Sequence, residues 1–259
     1  MEGQRRAVIV GVNSVADPQL RQLRYAEKDA LAIARLLTDP AIGTFNVADV
    51  EIMIGAHATA RNVKRALRTA AKQCQPSDVM LVYFAGHGVL PGDNRDEDPY
   101  LATSDFHLNA DLDADPDLGL RMGFLRRDVF PAAAGSSFLI LDCCHAGAVA
   151  DETHAHHHTF GQAITEIYRH QLTRHSALLA CPRDSTARES AELQHGVFTH
   201  ALLEGLGGAA AGVSGHVTFE ELGGYVSRLG LQTPPGLFVH GWGQTTVLAH
   251  TPHKVATRP

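Results

Sequence analysis

Residues 79–88 read "VMLVYFAGHG" and residues 137–147 read "SFLILDCCHAG". Each is a continuous apolar run that ends on a reactive side chain close to a glycine. A strand with one solvated face alternates polar and apolar residues, so a run without alternation fits a strand covered on both faces. "AVIVGV" (7–12) and "DVEIMI" (49–54) are of the same kind, "SALLAC" (176–181) supplies a fifth run, and "TTVLAH" near the end supplies a sixth.

The segments between the early runs read as helices. In "QLRQLRYAEKDALAIARLLTD", Leu23, Ala26, Ala30, Ile33 and Leu37 recur at helical spacing, and "TARNVKRALRTAAKQ" repeats the pattern with Thr59 placed to cap its start. Strand and helix in alternation imply right-handed crossovers and a mainly parallel sheet. The expected fold is a three-layer α/β/α sandwich around a mainly parallel six-stranded sheet, formed by residues 1–259 as a single domain. Two stretches break the rhythm: an acidic, turn-rich one from Pro91 to Leu120, and a polar, His-rich one from Ala148 to about Arg174. Both read as long surface loops.

Composition narrows the function. With 44% hydrophobic and 19% charged residues the chain can build a large core, and a net charge of −6 without a basic block argues against a nucleic-acid partner. Neither a signal peptide nor a run of 18 apolar residues is present, which leads to the expectation of a cytoplasmic protein without a membrane partner. The 4 cysteines, at 74, 143, 144 and 181, are too few and scattered for a disulfide framework. Cys74 reads as a small buried hydrophobe.

In an open parallel sheet, ligands bind outside the carboxyl ends of the strands. His87 ends one strand between Gly86 and Gly88, and Cys144 ends another, so adjacent strands can present both at one edge. A free thiol has a pKa of about 8.5, and an imidazole partner lowers it by several units. His87 would generate the thiolate and then protonate the leaving amine. The backbone N–H groups of Gly88 and Cys144 are candidates for an oxyanion hole, since glycine lets backbone approach substrate. This chemistry needs no cofactor.

"YFAGHG" and "DCCHAG" resemble the caspase-like cysteine peptidases, more closely the metacaspase and bacterial caspase-like branch than the animal caspases. Supporting stretches follow in the family's order over roughly residues 6 to 226: "RRAVIVGVNS", "LRYAEKDALAIARLL", "YLATSD", "SALLACPRDSTARESAE", "GVFTHALLEGL" and "HVTFEELGGYV". The resemblance implies that Cys144 is the nucleophile, Cys143 the small residue before it, and distant His87, not neighbouring His145, the base. Where animal caspases carry an Arg after the nucleophile, this chain has His145. Asp142 and Asp105 match carboxylates of the metacaspase-like branch, which implies cleavage after Arg or Lys, because paired carboxylates suit a cation. Glu189 also matches an acidic position.

The same resemblance divides the chain into a large-subunit-like part (1–150), a linker (151–174) and a small-subunit-like part (175–259), with self-cleavage expected after Arg169 or Arg174. It implies a protein or peptide substrate, such as a pore-forming effector cut in stress or antiphage defence, and an activating signal. Calcium activates some metacaspases; an EF-hand loop starting at Asp111 would need Gly and Glu where Pro116 and Met122 stand, which leaves calcium dependence open only through another kind of site. "THAHHHTF" (153–160) lacks a second ligand cluster at zinc spacing. "HGVFTHALLEGL" (195–206) puts Phe198, Ala201, Leu202 and Leu206 on one helix face and reads as core. The alternative to a peptidase is a catalytically silent module of the same fold that binds a partner or a small signalling ligand.

Overall fold

The computed structural model describes residues 3–90, 98–108, 119–145, 160–170, 175–180, 189–231, 235–239 and 245–251, the side chains at 144, 145, 166 and 168–170 excepted. The first half runs β1 (Arg5–Gly11), α1 (Ala26–Leu37), β2 (Val50–Ile54), α2 (Ala60–Gln73), β3 (Val79–Val89), the short β4 (Tyr100–Leu101) and β5 (Leu120–Arg121), α3 (Met122–Phe124) and β6 (Ser136–His145). The second runs α4 (Phe160–His170), β7 (His175–Leu179), β8 (Glu189–Ser190), β9 (His195–Gly196), α5 (Val197–Glu204), β10 (His216–Thr218), α6 (Phe219–Arg228), β11 (Gly236–Phe238) and β12 (Val247–His250).

The main sheet has the order β11-β7-β6-β3-β1-β2, parallel throughout except for β11. Because β1 lies between β2 and β3, the first crossover runs one way across the sheet and the second runs back. A constant right-handed crossover then puts α1 and α2 on opposite faces. On the α1 face, Ile9, Tyr83 and Ile140 meet Ala30, Ile33, Leu202 and Phe219. On the α2 face, Val10, Phe84, Leu139 and Leu141 meet Val63, Leu67, Phe160 and Ile164. Both faces are therefore dry, which is why the central strands carry no polar alternation.

Local chemistry sets the boundaries. The Thr59 hydroxyl accepts from Asn62 N at 3.3 Å and starts α2, as its sequence implies. Thr218 and Glu221 form a reciprocal capping box at the start of α6. Gly11 allows α1 to lie against β1, for a Cβ there would sit 2.5 Å from the Ala26 carbonyl oxygen.

Some expectations change. Val50–Ile54, read as a strand covered on both faces, is the edge of the sheet, with Glu51 and Ile52 exposed. Val247–His250 does not join the main sheet; it pairs antiparallel with His216–Thr218 as a separate ribbon, and Gly236–Phe238 takes the sixth place instead. The His-rich stretch expected to be loop contains α4, whose Phe160 and Ile164 are buried in the α2-side core. Among the described residues no helix is long and apolar enough to cross a membrane.

Asp78, just before β3, fastens the sheet end opposite His87. Its buried carboxylate accepts from Gln4 N at 2.8 Å, Gln75 N at 3.0 Å and the Arg6 guanidinium at 2.8 Å. Burial opposes ionisation, but these bonds outweigh it and hold the carboxyl below its ordinary range. Asp78→Ala strands those donors and is expected to cost about 2–3 kcal/mol, read from the urea midpoint at neutral pH. A depressed acid stabilises above its unfolded pKa, so the difference between wild type and variant should shrink as pH falls below 3.8.

Candidate active site

The longest ladder in the sheet joins β3 to β6, in register from Val79 opposite Ser136 to Gly88 opposite His145. This register sets His87 directly opposite Cys144 on parallel strands, whose axes lie about 4.8 Å apart. Cys143, one residue earlier, is 4% exposed and packs into the α2-side core with Leu139 and Leu141. Tyr83 and Ala85 belong to the opposite, α1-side core, and alternation along β3 puts His87 on that face with them. Cys143 is thus on the wrong face of the sheet to meet His87.

His87 is 4% exposed, and its Nε2 lies 2.6 Å from the carbonyl oxygen of Arg21, in the loop between β1 and α1. A carbonyl only accepts, so Nε2 carries the proton and Nδ1 keeps its lone pair. That Nδ1 is buried and has no hydrogen-bond partner among the described residues. Burial pushes the imidazole pKa down, more than the Arg21 carbonyl pushes it up, so the neutral form dominates at pH 7. The ring is a base with one nitrogen tied and the other waiting. Gly88 follows, in register with His145 on one side and Leu101 on the other. Phe160 presses against it so closely that a Cβ would sit 2.5 Å from the ring.

Beside this edge lies a group of carboxylates. Asp142 is buried on β6, and its Oδ2 accepts from the Thr199 hydroxyl of α5 at 2.5 Å. Thr199 Oγ1 lies 2.6 Å from Tyr83 OH, and with its only hydrogen on Asp142, it must accept from Tyr83. Asp29, buried on α1, accepts from Gly196 N at 2.9 Å and lies 2.5 Å from His195 Nδ1. The two acids converge under Gly196: a Cβ there would lie 2.7 Å from Asp142 Oδ2 and 3.0 Å from Asp29 Oδ2.

Burial raises both carboxyl groups to a pKa of about 7, and charge reinforces the shift, Glu189 acting on Asp29 and Asp29 on Asp142. Glu189 Oε1 itself accepts from the backbone N–H groups of Arg24 and Tyr25, ahead of α1, at 2.7 and 2.8 Å. Burial thus disfavours the charged forms of Asp29 and Asp142, and a third acid, Glu189, acts on both.

Asp105, expected to pair with Asp142, makes its described hydrogen bonds elsewhere. Asp105 Oδ1 accepts from Ala60 N at 2.8 Å and from the Thr103 hydroxyl at 2.6 Å, so it caps α2, the helix on the other face of the sheet. Asp29 stands where Asp105 was expected. Its signal was in the sequence, a charged residue one step from the apolar stripe of Ala26, Ala30 and Ile33. The segment 195–206, read as core, buries Phe198, Ala201, Leu202 and Leu206 as expected but also supplies His195, Gly196 and Thr199 to the acids.

The acidic run 109–118, most of "THAHHHTF", Arg174 and the side chains of Cys144, His145 and Arg169 lie outside the described residues. Among the described residues no group of three or more His, Cys, Asp or Glu could hold a metal ion.

A family model described as "Caspase domain" matches residues 4–229. Metacaspase-1B of Aspergillus terreus is 27% identical over 160 residues, 58% of this chain and 40% of that protein. Metacaspase-1 of Saccharomyces cerevisiae is 28% identical over the same share of this chain and 35% of its own length. The chain thus matches about two fifths or less of these relatives' length. Among solved structures, a Geobacter sulfurreducens protein superposes with a TM-score of 0.65 at 20% identity, over 92% of this chain and 94% of that one. Caspase-1 of Spodoptera frugiperda superposes with a TM-score of 0.55 at 10% identity, over 88% and 76%. These likenesses establish the fold, and the family model, spanning most of the sequence, establishes the kinship: the chain belongs to the caspase-domain peptidase family.

Proposed function

We propose that the protein is a cysteine endopeptidase in which Cys144 is the nucleophile and His87 the base. The carrying observation is the β3–β6 register, which sets Cys144 opposite a buried imidazole whose Nε2 is tied to Arg21 and whose Nδ1 is unpartnered among the described residues. Alternation supports Cys144 over Cys143, which is committed to the opposite core.

The thiol proton passes to His87 Nδ1, and the thiolate attacks the peptide carbonyl carbon. The oxyanion is received by the N–H groups of Gly88 and Cys144. As the C–N bond breaks, His87 returns its proton to the leaving amine, leaving an acyl group on Cys144. A water then gives a proton to His87 and attacks the acyl carbon, and the thiol is restored.

Specificity in this reading comes from Asp29 and Asp142, with Glu189 behind them. A guanidinium or ammonium group entering beneath Gly196 would be paired by both acids, so the substrate is a protein or peptide cut after Arg or Lys. Asp105 serves α2 instead.

Cys144→Ala should abolish cleavage of arginyl peptides, whereas Cys143→Ala should keep kcat within about threefold, because its side chain lies in the α2-side core, on the face away from His87. The reverse ranking in a steady-state assay would reassign the nucleophile.

Asp29→Asn and Asp142→Asn should each raise KM for arginyl and lysyl peptides at least tenfold, and Asp105→Asn should leave KM unchanged while lowering thermal stability. Because both acids titrate near 7, KM for wild type should fall as pH rises from 6 to 8, as the pocket becomes anionic. That slope should flatten in either Asn variant. A preference for peptides ending in Asp would contradict the pocket.

A further inference from the structure

The loop between β1 and α1 has no regular structure from residue 12 to 25, and only Val12, Asp17, Leu20 and Leu23 are buried in it. Yet this loop presents the Arg21 carbonyl, at 2.6 Å from His87 Nε2. A carbonyl on an irregular loop can orient an imidazole only if the loop is itself fixed. Asp17 does much of the fixing. Its carboxylate is 1% exposed; Oδ1 accepts from Gln19 N at 2.8 Å, and Oδ2 accepts from Leu108 N at 2.8 Å across the chain. Its backbone N–H donates to the Phe106 carbonyl at 3.0 Å, and its carbonyl accepts from Leu20 N at 3.3 Å, closing a turn with Pro18 second. His107 Nδ1 lies 3.8 Å from Oδ2. Leu20 then packs with Val89, Phe106 and Leu108, next to the end of β3.

We propose that Asp17 is a positioning residue for His87: it staples the irregular loop to residues 106–108 so that the Arg21 carbonyl holds the imidazole in its reactive tautomer. The proposal rests on the reading of His87 as the base of Cys144. A carboxylate suits the task better than an amide because both of its oxygens receive N–H donors, and an Asn there would turn an NH2 group toward one of them. Glu189 secures the far end of the same loop through Arg24 N and Tyr25 N, so Arg21 lies between two carboxylate anchors.

The consequence is specific. The Arg21 carbonyl stabilises the imidazolium that must form when Cys144 loses its proton, while burial opposes it. Among the described residues, Arg21 and Glu189 are the charged groups acting on the ring. When the staple is cut, the carbonyl drifts, burial prevails, and the thiolate–imidazolium pair forms less readily. The test is the pH dependence of Cys144 alkylation by iodoacetamide, followed by mass, together with kcat and KM on an arginyl peptide. Asp17→Asn should move the alkylation midpoint up, toward the about 8.5 of an unassisted thiol, and lower kcat about tenfold with KM within about twofold. Asp78→Asn, which removes a carboxylate staple at the opposite end of the sheet, should lower thermal stability without moving the midpoint.

Pro18→Gly, an exposed change in the turn that Asp17 closes, should shift the midpoint in the same direction by a smaller amount, and serves if Asp17→Asn does not fold. A wild-type midpoint and kcat in folded Asp17→Asn, or a wild-type midpoint in Pro18→Gly when Asp17→Asn cannot be folded, overturns the proposal. If Cys144→Ala retains full peptidase activity, it is the reading of the nucleophile that fails. If Cys144→Ala is inactive and Asp17→Asn behaves as wild type, only the role of Asp17 fails.

Discussion

The pairing of β3 with β6 governs the rest of the molecule. Its register runs without a break from Val79 opposite Ser136 to Gly88 opposite His145. Because side chains alternate with period two, a slip of one residue would exchange the faces of a whole strand. It would send Asp142 into the α2-side core, bring Cys143 out of it, and dissolve the opposition of His87 and Cys144. Register is thus held by the same apolar contacts that form the two cores. Chemistry at the carboxyl edge is inherited from packing deep in the sheet, and the glycines at 86 and 88 make room there for the rings of Phe84 and Phe160.

Around this axis the molecule places polar groups where burial changes their character. Asp29 and Asp142 lie on different elements, α1 and β6, and meet only because α5 and β9 bring Gly196 and Thr199 over them. Buried and mutually repelling, they hold protons to about pH 7, far above the 3.8 of an exposed carboxyl. His87 is shifted the other way, to favour its neutral base. One physical cause, exclusion of water, tunes acid and base oppositely because the charged form of each is the one that burial penalises.

The sequence discloses the parts of this arrangement that depend on local pattern. Unalternating runs identify β1, β3, β6 and β7, helical periodicity identifies α1 and α2, and the glycine-flanked His87 and Cys144 are visible near strand ends. What it does not disclose depends on backbone or on distant pairing. The Arg21 carbonyl carries no sequence signal, since every residue has one. Asp105 sits in a persuasive motif but caps α2, and only the fold shows that α2 lies on the other face. Asp29 adjoins the apolar stripe of α1, but only the packing of α1 shows that it is turned inward. β12 has the composition of a sheet strand, yet its partner is β10, because alternation alone does not choose between partners.

On the proposed function, Cys144, opposite His87, is the reactive thiol. The direct measurement is labelling with a peptidyl acyloxymethyl ketone ending in arginine, followed by peptide mapping of the intact and His87→Ala proteins. One label per chain is expected, on Cys144, formed at least a hundredfold more slowly in His87→Ala. A label on Cys143, or equal rates in the two proteins, would contradict it.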